Sequence, residues 1–364
     1  MKKKLILFMP SIEGGGVEKN FIIISNYLAN KFSNTILITS EKKHNKFFKN
    51  LKIINPKIKT DHNSSRRFKY ILCLIELIKL IIKNKNYLVF AFQANVYCAI
   101  ICKFFKIKII IRSNSSPSGW KLNIFRKKIF QLLLSLPDKI IVNSIQFRHE
   151  YKKNFNLNSV CIYNPLNKNE IIKLSKLKLK DNFFDKYKNL KIIFVGRLVD
   201  QKDPFTFVKS LNLLKNRIKF RALIVGRGHL KPKLQKYISS NNLIKNIKMI
   251  DWQKNPYRYI AQADVLVLTS NYEGLPNTLL ETIALKKNVM STDCPTGPKE
   301  ILDNGKGGFL FKIGDYKSLS KLLMKFNKND TNLKRKINYA WKRLNRFDYQ
   351  INLKRFFLLI KAHI

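Results

Sequence analysis

Two carboxylates lie eight residues apart, on either side of a predicted boundary between a loop and a helix. Glu273 follows the buried run Val265–Thr269, and Glu281 lies about one turn inside a helix whose first turn is predicted to contain Pro276. A carboxylate accepts hydrogen bonds from vicinal hydroxyls, so each glutamate could hold a different sugar. The amides at the start of the helix, aided by its dipole, could bind a phosphate.

Two basic residues follow another predicted strand, Lys191–Val195. Gly196 permits an unusual turn at the end of this strand, and Arg197 and Lys202 come directly after it. Two cations in this position could neutralise a diphosphate leaving group. The alternative is that both are ordinary surface bases in a chain that is rich in them.

A glycine-rich turn, Glu13–Glu18, follows the first predicted strand and contains Gly15 and Gly16. Such a turn lets backbone N–H groups approach a phosphate at the start of a helix. The sequence matches neither the dinucleotide-binding nor the Walker pattern. A tight strand-to-helix turn without a ligand is therefore an equal alternative.

The elements that must position these residues alternate between short apolar runs and longer stretches with helical spacing. This pattern predicts an α/β fold with parallel strands and crossover helices. The alternation stops in the Lys- and Asn-rich segment Asn167–Asn189 and restarts at Lys191. We therefore predict two Rossmann-like doubly wound domains that face each other across a ligand-binding cleft. The predicted domains are residues 1–170 and 171–345, and a C-terminal helix in residues 346–364 is expected to pack on the first domain.

The net charge of the 364 residues is +49, which would suit a nucleic-acid partner if it were clustered. It is spread evenly, however, with +23 in residues 1–170 and +26 in residues 171–364. This favours solvated surface charge, leaves a weak attraction to an anionic membrane open, and argues against a nucleic-acid partner. The five cysteines contain no CxxC pair, which suits a reducing compartment. No apolar run is long enough for a transmembrane helix, and Leu5–Met9 is too short for a signal peptide.

At this point the chain resembles a known family, the retaining GT-B glycosyltransferases of family 4, or glycosyl transferases group 1. Glu273 and Glu281 form the E-x7-E signature of that family. Gly196-Arg197-Leu198 with Lys202, and Val225–Gly228, occur in the family's order and spacing. The run Asp293–Leu302 is similar to the D-C-P-x-G-P-x-E-I-L run of bacterial members that build surface polysaccharide.

The resemblance implies a role for each motif. Glu273 would hold hydroxyls of the donor sugar, and Glu281 would hold the ribose of the nucleotide. Arg197 and Lys202 would bind the diphosphate and stabilise its charge as it leaves. The remaining donor contacts would come from the turn at Gly196, from the loop and helix start at Gly274, Leu275, Pro276 and Asn277, and from Gly15 and Gly16 of the other domain. The leaving phosphate would accept the acceptor's proton, so no protein nucleophile is implied.

The chain departs from the family pattern at two positions. Where many members carry a histidine near the donor phosphates, this chain has Arg112, which is expected either to contact the anion or to serve the acceptor region. Where a glycine and an aromatic residue often contact the base, it has Asp251-Trp252. Trp252 is expected either beside the nucleotide or in the core.

The resemblance implies transfer of a hexose or N-acetylhexosamine from a nucleotide-diphosphate sugar, with UDP as the expected nucleotide. The acceptor would be a glycan or a polyprenyl-linked saccharide in surface polysaccharide or lipopolysaccharide biosynthesis. The alternatives are a nucleotide-sugar epimerase or a non-catalytic nucleotide-sugar binder on the same fold. No cofactor is expected, and no metal, since there is no D-x-D motif.

The expected location is the cytoplasm, with a peripheral contact to the anionic inner face of the cell membrane. Two basic, aromatic stretches, Arg66–Ile82 and Trp120–Phe130, could each rest an amphipathic helix on lipid. The alternative is that these helices pack on the core and expose lysines to water.

Overall fold

The protein was analysed as a computed structural model that describes residues 4–58, 60, 64–114, 123–179, 183–327 and 330–364. It divides into two compact units. Unit 1 comprises residues 1–165 together with Tyr349–Ile364, and unit 2 comprises Leu166–Asp348. The expected boundaries were 170/171 and 345/346.

In the described part of unit 1, seven strands form one parallel sheet in the order β3-β2-β1-β4-β5-β6-β7. The continuous apolar run of each central strand matches burial on both faces of the sheet. The strands are β1 (Lys4–Phe8), β2 (Ile36–Ile38), β3 (Lys52–Ile54), β4 (Tyr87–Ala91), β5 (Lys108–Arg112), β6 (Lys139–Val142) and β7 (Val160–Cys161).

Helices cover both faces of this sheet, and each face has its own apolar core. Side-chain oxygens cap several of the helices, as when Ser144 Oγ accepts from the Phe147 amide at 3.0 Å. On one face lie α2 (Arg66–Lys83), α3 (Asn95–Phe104), α4 (Ile124–Ser135) and α5 (Ile145–Phe155); on the other lie α1 (Gly16–Ala29) and α14 (Tyr349–Lys361).

The C-terminal helix α14 packs on the first unit, next to α1. Leu353, Phe356 and Ile360 are its buried contacts in the core of that face. The chain thus crosses from unit 2 back to unit 1 for its last sixteen residues, Tyr349–Ile364.

In unit 2, the described residues form a second parallel sheet of six strands in the order β10-β9-β8-β11-β12-β13. The doubly wound α/β fold predicted from the sequence is therefore confirmed in both units. The strands are β8 (Leu190–Val195), β9 (Phe220–Val225), β10 (Ile247–Ile250), β11 (Val265–Leu268), β12 (Asn288–Thr292) and β13 (Phe309–Phe311).

The helices of unit 2 include one in the Lys- and Asn-rich segment Asn167–Asn189, where the sequence pattern predicted no regular element. Lys168–Ser175 is helical, and its Ile171 is buried. The helices are α6 (Lys168–Ser175), α7 (Pro204–Asn212), α8 (Lys231–Ser240), α9 (Tyr257–Ile260), α10 (Asn277–Ala284), α11 (Pro298–Ile301), α12 (Tyr316–Met324) and α13 (Thr331–Arg343).

Candidate functional site

The strand order of unit 2 reverses between β8 and β11. From β8 the chain moves outward through β9 and β10, and it then returns to the other side of β8 with β11. The loops that follow β8 and β11 leave the carboxyl edge of the sheet side by side, and ligands of doubly wound sheets bind at this place. The first loop carries Gly196, Arg197 and Lys202, and the second carries Glu273.

The structure joins two of the predicted residues in an ion pair. The Lys202 ammonium donates a short hydrogen bond to Oε1 of Glu273, and the two side chains are only 16% and 7% exposed. Ser270 Oγ donates to the same carboxylate oxygen at 2.6 Å. A largely desolvated, hydrogen-bonded cation and carboxylate thus lie side by side at the switch point.

The backbone of Glu273 is held on both sides by the segment that follows β12. Its amide donates to the Pro295 carbonyl at 3.2 Å, and its carbonyl accepts from Thr296 Oγ1 at 2.5 Å. Gly297 has a φ of +88°, and a Cβ there would come within 2.6 Å of the Gly274 carbonyl oxygen. A glycine is required at this position because both the backbone conformation and the space exclude a side chain.

Arg197 is exposed, and Gln201 links it to the second loop. Arg197 Nη2 donates to Gln201 Oε1 at 2.9 Å, and Gln201 Nε2 donates to the Tyr272 carbonyl at 3.0 Å. The Asn271 amide donates to the Gln201 carbonyl at 2.8 Å. These bonds join the loop that follows β8 to the loop that follows β11. The Arg197 guanidinium is therefore held beside the two loops that carry Lys202 and Glu273.

The turn after β8 packs closely on the turn after β9. A Cβ at Gly226 would lie 1.9 Å from the carbonyl oxygen of Gly196, closer than any side chain permits. A Cβ at Gly196, by contrast, would meet nothing nearer than 3.6 Å. The glycine that this close approach demands is therefore Gly226, and Gly196 is its backbone partner.

The start of α10 differs slightly from the prediction. Pro276 lies at the N-cap, not inside the first turn, and Asn277 is the first helical residue. The predicted residues Gly274, Leu275 and Pro276 are buried, whereas Asn277 is partly exposed. The helix N-terminus therefore follows the loop that carries Glu273.

Glu281, on α10, has a partner of a different kind from that of Glu273. Its Oε1 accepts a hydrogen bond of 3.0 Å from the Tyr257 hydroxyl, and its residue is buried. A phenol is neutral at ordinary pH, so this contact orients the carboxylate without neutralising it.

Trp252 lies on the surface, which contradicts the core alternative for this tryptophan. It is 45% exposed, and the Arg227 guanidinium lies 5.6 Å from the ring centroid. Trp252 follows β10 and Arg227 follows β9, and together they form an aromatic and cationic surface.

The glycine-rich turn of unit 1 is ordered by charged neighbours. Gly15 caps α1, Gly16 is its first residue, and a Cβ at Gly15 would lie 2.7 Å from Oε2 of Glu18. Arg66 Nη2, from α2, lies 2.6 Å from Oε2 of Glu13. Burial raises the pKa of Glu13, but the hydrogen bond and charge of Arg66 outweigh it and lower that pKa overall.

Arg112 does not have the surroundings expected of an anion contact. Its side chain is fully buried between the rings of Phe92 and Phe356, at 5.4 and 5.1 Å, and Nη2 donates to Asn164 Oδ1 at 2.5 Å. Burial lowers the pKa of Arg112 to about 9. The expectation that it contacts donor phosphates is wrong for this structure, because its guanidinium is enclosed by the core of unit 1.

Residues 175–343 match the family model for glycosyl transferases group 1. The chain is a glycosyltransferase, and its residues 175–343 resemble group 1. It is 26% identical over 361 residues to a Campylobacter jejuni N-acetylgalactosamine-N,N'-diacetylbacillosaminyl-diphospho-undecaprenol 4-alpha-N-acetylgalactosaminyltransferase, covering 95% of this chain and 96% of the relative. An uncharacterized glycosyltransferase of Methanocaldococcus jannaschii is 27% identical over 344 residues, covering 82% and 84%.

Solved structures give the fold of this glycosyltransferase. Anabaena HepE, determined in complex with UDP and glucose, superposes with a TM-score of 0.80 at 15% identity, covering 99% of this chain and 100% of HepE. Together with the two parallel sheets, this confirms the GT-B fold expected from the resemblance.

Sequence reasoning missed several residues that shape the glycosyltransferase's site. Tyr257, Ser270, Gln201 and Thr296 contact the predicted residues but have no motif of their own. Polar side chains close to a strand's carboxyl end were the signal available for Ser270 and Gln201. Tyr257 carried no such signal, because it lies on α9, far from Glu281 in sequence.

Cys294 lies beside the ion pair and is buried. Burial, and next the Glu273 carboxylate, raise the pKa of its thiol to about 12, so it stays protonated at neutral pH. Within the residues that the structure describes, no cluster of three or more His, Cys, Asp or Glu side chains could hold a metal ion. None of the helices formed by those residues is long and apolar enough to cross a bilayer.

Proposed function

We propose that this glycosyltransferase acts with retention and moves a hexose or N-acetylhexosamine from a UDP-sugar to a glycan or polyprenyl-linked saccharide. The observation that carries the proposal is the Lys202–Glu273 pair at the switch point of unit 2. In this proposal, Lys202 is the cation for the leaving diphosphate, and the adjacent Glu273 is the carboxylate for the sugar. Such an arrangement suits a donor whose scissile bond joins these two parts.

In the proposed reaction the bond between the anomeric carbon and the diphosphate oxygen breaks as the acceptor hydroxyl attacks from the same face. The departing phosphate oxygen takes the acceptor's proton, and nucleoside diphosphate leaves. Lys202 and Arg197 stabilise the charge that develops on the diphosphate, together with the amides at the start of α10. Glu273 accepts hydrogen bonds from the sugar's hydroxyls and thereby orients the anomeric carbon.

The nucleoside part of the donor is assigned to the next features along the edge of the sheet. Glu281, oriented by Tyr257, would accept hydrogen bonds from the ribose hydroxyls. Trp252, with Arg227 beside it, would stack on the base. The complex of Anabaena HepE with UDP and glucose supports the choice of UDP, since HepE shares the fold.

Two cationic side chains would take the place of a divalent metal at the diphosphate. Arg197 and Lys202 both follow β8, where the phosphates of the donor are expected. The backbone amides at Gly15 and Gly16, in the glycine-rich turn of unit 1, are proposed to bind an anionic part of the donor.

The acceptor class is proposed from the relatives. Two of them are Campylobacter jejuni transferases named for diphospho-undecaprenol-linked saccharides, at 26% and 24% identity over 95% of this chain. A third, the Escherichia coli lipopolysaccharide 1,6-galactosyltransferase, is 32% identical over 140 residues. A lipid-linked acceptor would hold the reaction at a membrane, and we propose that this is the cytoplasmic face of the cell membrane.

The test is a donor panel. Purified enzyme is incubated with UDP-, GDP- and ADP-sugars and a polyprenyl-diphosphate saccharide, with and without EDTA, and release of nucleoside diphosphate is measured. We expect release from a UDP-sugar that depends on the acceptor, persists in EDTA and yields an α-linked product from an α-linked donor.

Matched variants connect the activity to the site. Glu273→Gln should abolish release, whereas Asp185→Asn, which removes an exposed carboxylate elsewhere in unit 2, should leave it unchanged. Inversion of the anomeric centre, loss of activity in EDTA, or full activity of Glu273→Gln would each overturn the corresponding part of the proposal.

A further inference from the structure

Helix α2 is apolar on two sides. One side packs on the sheet through residues such as Leu72, Cys73 and Leu77. The other side faces away from the sheet, yet it also carries large apolar side chains at helical spacing. These exposed residues are Phe68, Ile71, Ile75 and Ile82.

The next two helices repeat this feature. In α3 the exposed residues are Tyr97, Ile100 and Phe104, at positions i, i+3 and i+7. In α4 they are Phe125, Ile129 and Leu132, at positions i, i+4 and i+7. Each set forms a stripe along one side of its helix. The distribution of these exposed apolar residues is therefore not random, because an ordinary core-packing helix would present polar side chains on this side.

The three stripes belong to one surface. Helices α2, α3 and α4 pack side by side on the same face of the unit 1 sheet, in that order. Together they carry ten of the twenty large apolar side chains that are exposed among the described residues. We call this surface the α2–α4 face. A concentration of this kind marks an interaction surface, because scattered single residues are the usual case.

The charge of the α2–α4 face indicates what it contacts. The three helices contain nine lysines and arginines and one acidic residue, Glu76. One of the nine, Lys69, is buried against Glu41 and does not belong to the face, which leaves eight basic side chains. Arg126, Lys127 and Lys128 lie exposed between the apolar residues of α4. Two copies of this face would oppose like charges across a twofold axis, which disfavours self-association. An anionic lipid surface accepts both the apolar stripes and the basic side chains.

We propose that the α2–α4 face docks unit 1 on an anionic bilayer, with its apolar stripes inserted at the level of the lipid headgroups. From the sequence, lipid contact was one of two alternatives for Arg66–Ile82, which is α2 without its last residue; the structure adds α3 and joins the three helices into one surface. In the other stretch, Trp120–Phe130, residues 120–122 lie outside the described residues. Asn123 caps α4, and residues 124–130 belong to that helix.

The orientation that this docking imposes suits the proposed acceptor. The helices run antiparallel to the strands that follow them, so α2, α3 and α4 all begin at the carboxyl edge of the sheet. The glycine-rich turn lies at this edge, and Arg66, the first residue of α2, is ion-paired to Glu13 of that turn. The docked face therefore reaches the edge at which a lipid-linked saccharide would meet unit 1. The acceptor class rests on the proposed function, whereas lipid binding itself does not.

The test uses vesicles and needs neither donor nor acceptor. The full-length protein is mixed with vesicles of phosphatidylcholine alone or with about one third phosphatidylglycerol, and binding is measured by flotation at low and high salt. We expect binding to the anionic vesicles that weakens at 1 M salt, where the Debye length is about 3 Å. Lack of binding to anionic vesicles at low salt would overturn the proposal.

The apolar contribution is tested by Phe104→Ser/Phe125→Ser/Leu132→Ser, which should lower the partition coefficient at least tenfold. The matched control, Leu177→Ser/Ile244→Ser/Leu358→Ser, removes apolar side chains that are similarly exposed but lie outside the α2–α4 face. Thermal unfolding of both variants checks that they remain folded. Equal binding by the two would refute the assignment of the face.

The charge contribution is tested by Arg126→Gln/Lys127→Gln/Lys128→Gln. Each basic side chain near an anionic surface contributes roughly fivefold, so we expect a loss of about 100-fold. The control, Lys233→Gln/Lys236→Gln/Lys245→Gln, removes the same charge from exposed positions of unit 2 and should bind like the unaltered protein. If sedimentation instead shows a dimer that the serine variant dissociates, the face contacts a second copy and the lipid assignment is wrong.

Discussion

The ion pair between Lys202 and Glu273 makes a prediction that tests the site without any substrate. Lys202→Met keeps most of the length of the side chain and removes its charge, and Glu273→Gln keeps the shape of the side chain and removes its charge. Because the side chains are only 16% and 7% exposed, each single variant leaves a charge in a largely desolvated place. The double variant removes both charges together and leaves neither unpaired.

The size of the effect follows from burial. Removing one partner of a fully buried pair costs about 3–5 kcal/mol, and the partial exposure of Lys202 reduces this to about 2 kcal/mol for each single variant. The double variant should lose about as much as either single variant, which gives a coupling energy of about 2 kcal/mol. For a unit of this size, the single variants should unfold about 4–8 °C below the unaltered protein.

The assay is urea denaturation of all four proteins, and the control is a second pair in the same unit. Lys299 Nζ lies 3.4 Å from Asp293 Oδ2, but both side chains are well exposed. The cycle of Lys299→Met and Asp293→Asn should therefore give a coupling energy near zero. If the losses of Lys202→Met and Glu273→Gln simply add in the double variant, the two side chains do not form the buried pair and the reasoning fails.

Three further predictions concern the surroundings of the site and the core of unit 1. Tyr257→Phe removes the hydroxyl that orients Glu281, so the KM for the donor should rise severalfold with a stability loss of about 1 kcal/mol; an unchanged KM would contradict the contact's role. Gly226→Ala should lower the melting temperature far more than Gly196→Ala, because only the first places a Cβ 1.9 Å from a backbone oxygen, and equal shifts would refute this. Arg112→Met should keep the stability within about 1 kcal/mol in chemical denaturation, whereas Arg112→Ala should lose several through the cavity that it leaves; a severe loss in the methionine variant would show that the guanidinium is needed.

The central strands and one edge strand, β10, were predictable from the sequence, and the other three edge strands were not. Most central strands contain an apolar run of three or more residues, because helices cover both faces of the sheet. The edge strands β3, β7 and β13 contain only two or three residues each and are partly exposed. They lack the run that identifies a buried strand, so their existence depends on the neighbour with which they pair.

Helix α6 was missed for a related reason. Its sequence is rich in lysine and asparagine, and it presents a single buried side chain, Ile171. Asn167 caps the helix by accepting from the Glu170 amide at 3.1 Å, but the cap is one asparagine among many in this segment. Packing against α9 and α10 stabilises the helix, and this tertiary contact leaves no local signal.

Arg112 shows why a position at a strand end is insufficient to assign a ligand contact. The carboxyl end of β5 is a place where ligands often bind, and an arginine there suggests an anion. Phe356 of the C-terminal helix closes over the guanidinium from more than two hundred residues away in sequence. The sequence predicted that the C-terminal helix packs on the first domain, but the side chain of that helix that meets Arg112 depends on the packing of α14 against the sheet, which leaves no local signal.

The two signature glutamates cannot exchange roles, although the sequence presents them as a pair. Glu273 is bonded to the ammonium of Lys202, and this pair brings a cation to the place where the sugar and the diphosphate are proposed to meet. Glu281 is bonded to the neutral hydroxyl of Tyr257, and this bond orients its carboxylate without bringing a charge to it. A charge is required where the scissile bond polarises, and hydrogen-bond geometry alone suffices at the ribose. Substitution at Glu273 should therefore lower kcat, and substitution at Glu281 should chiefly raise the KM for the donor.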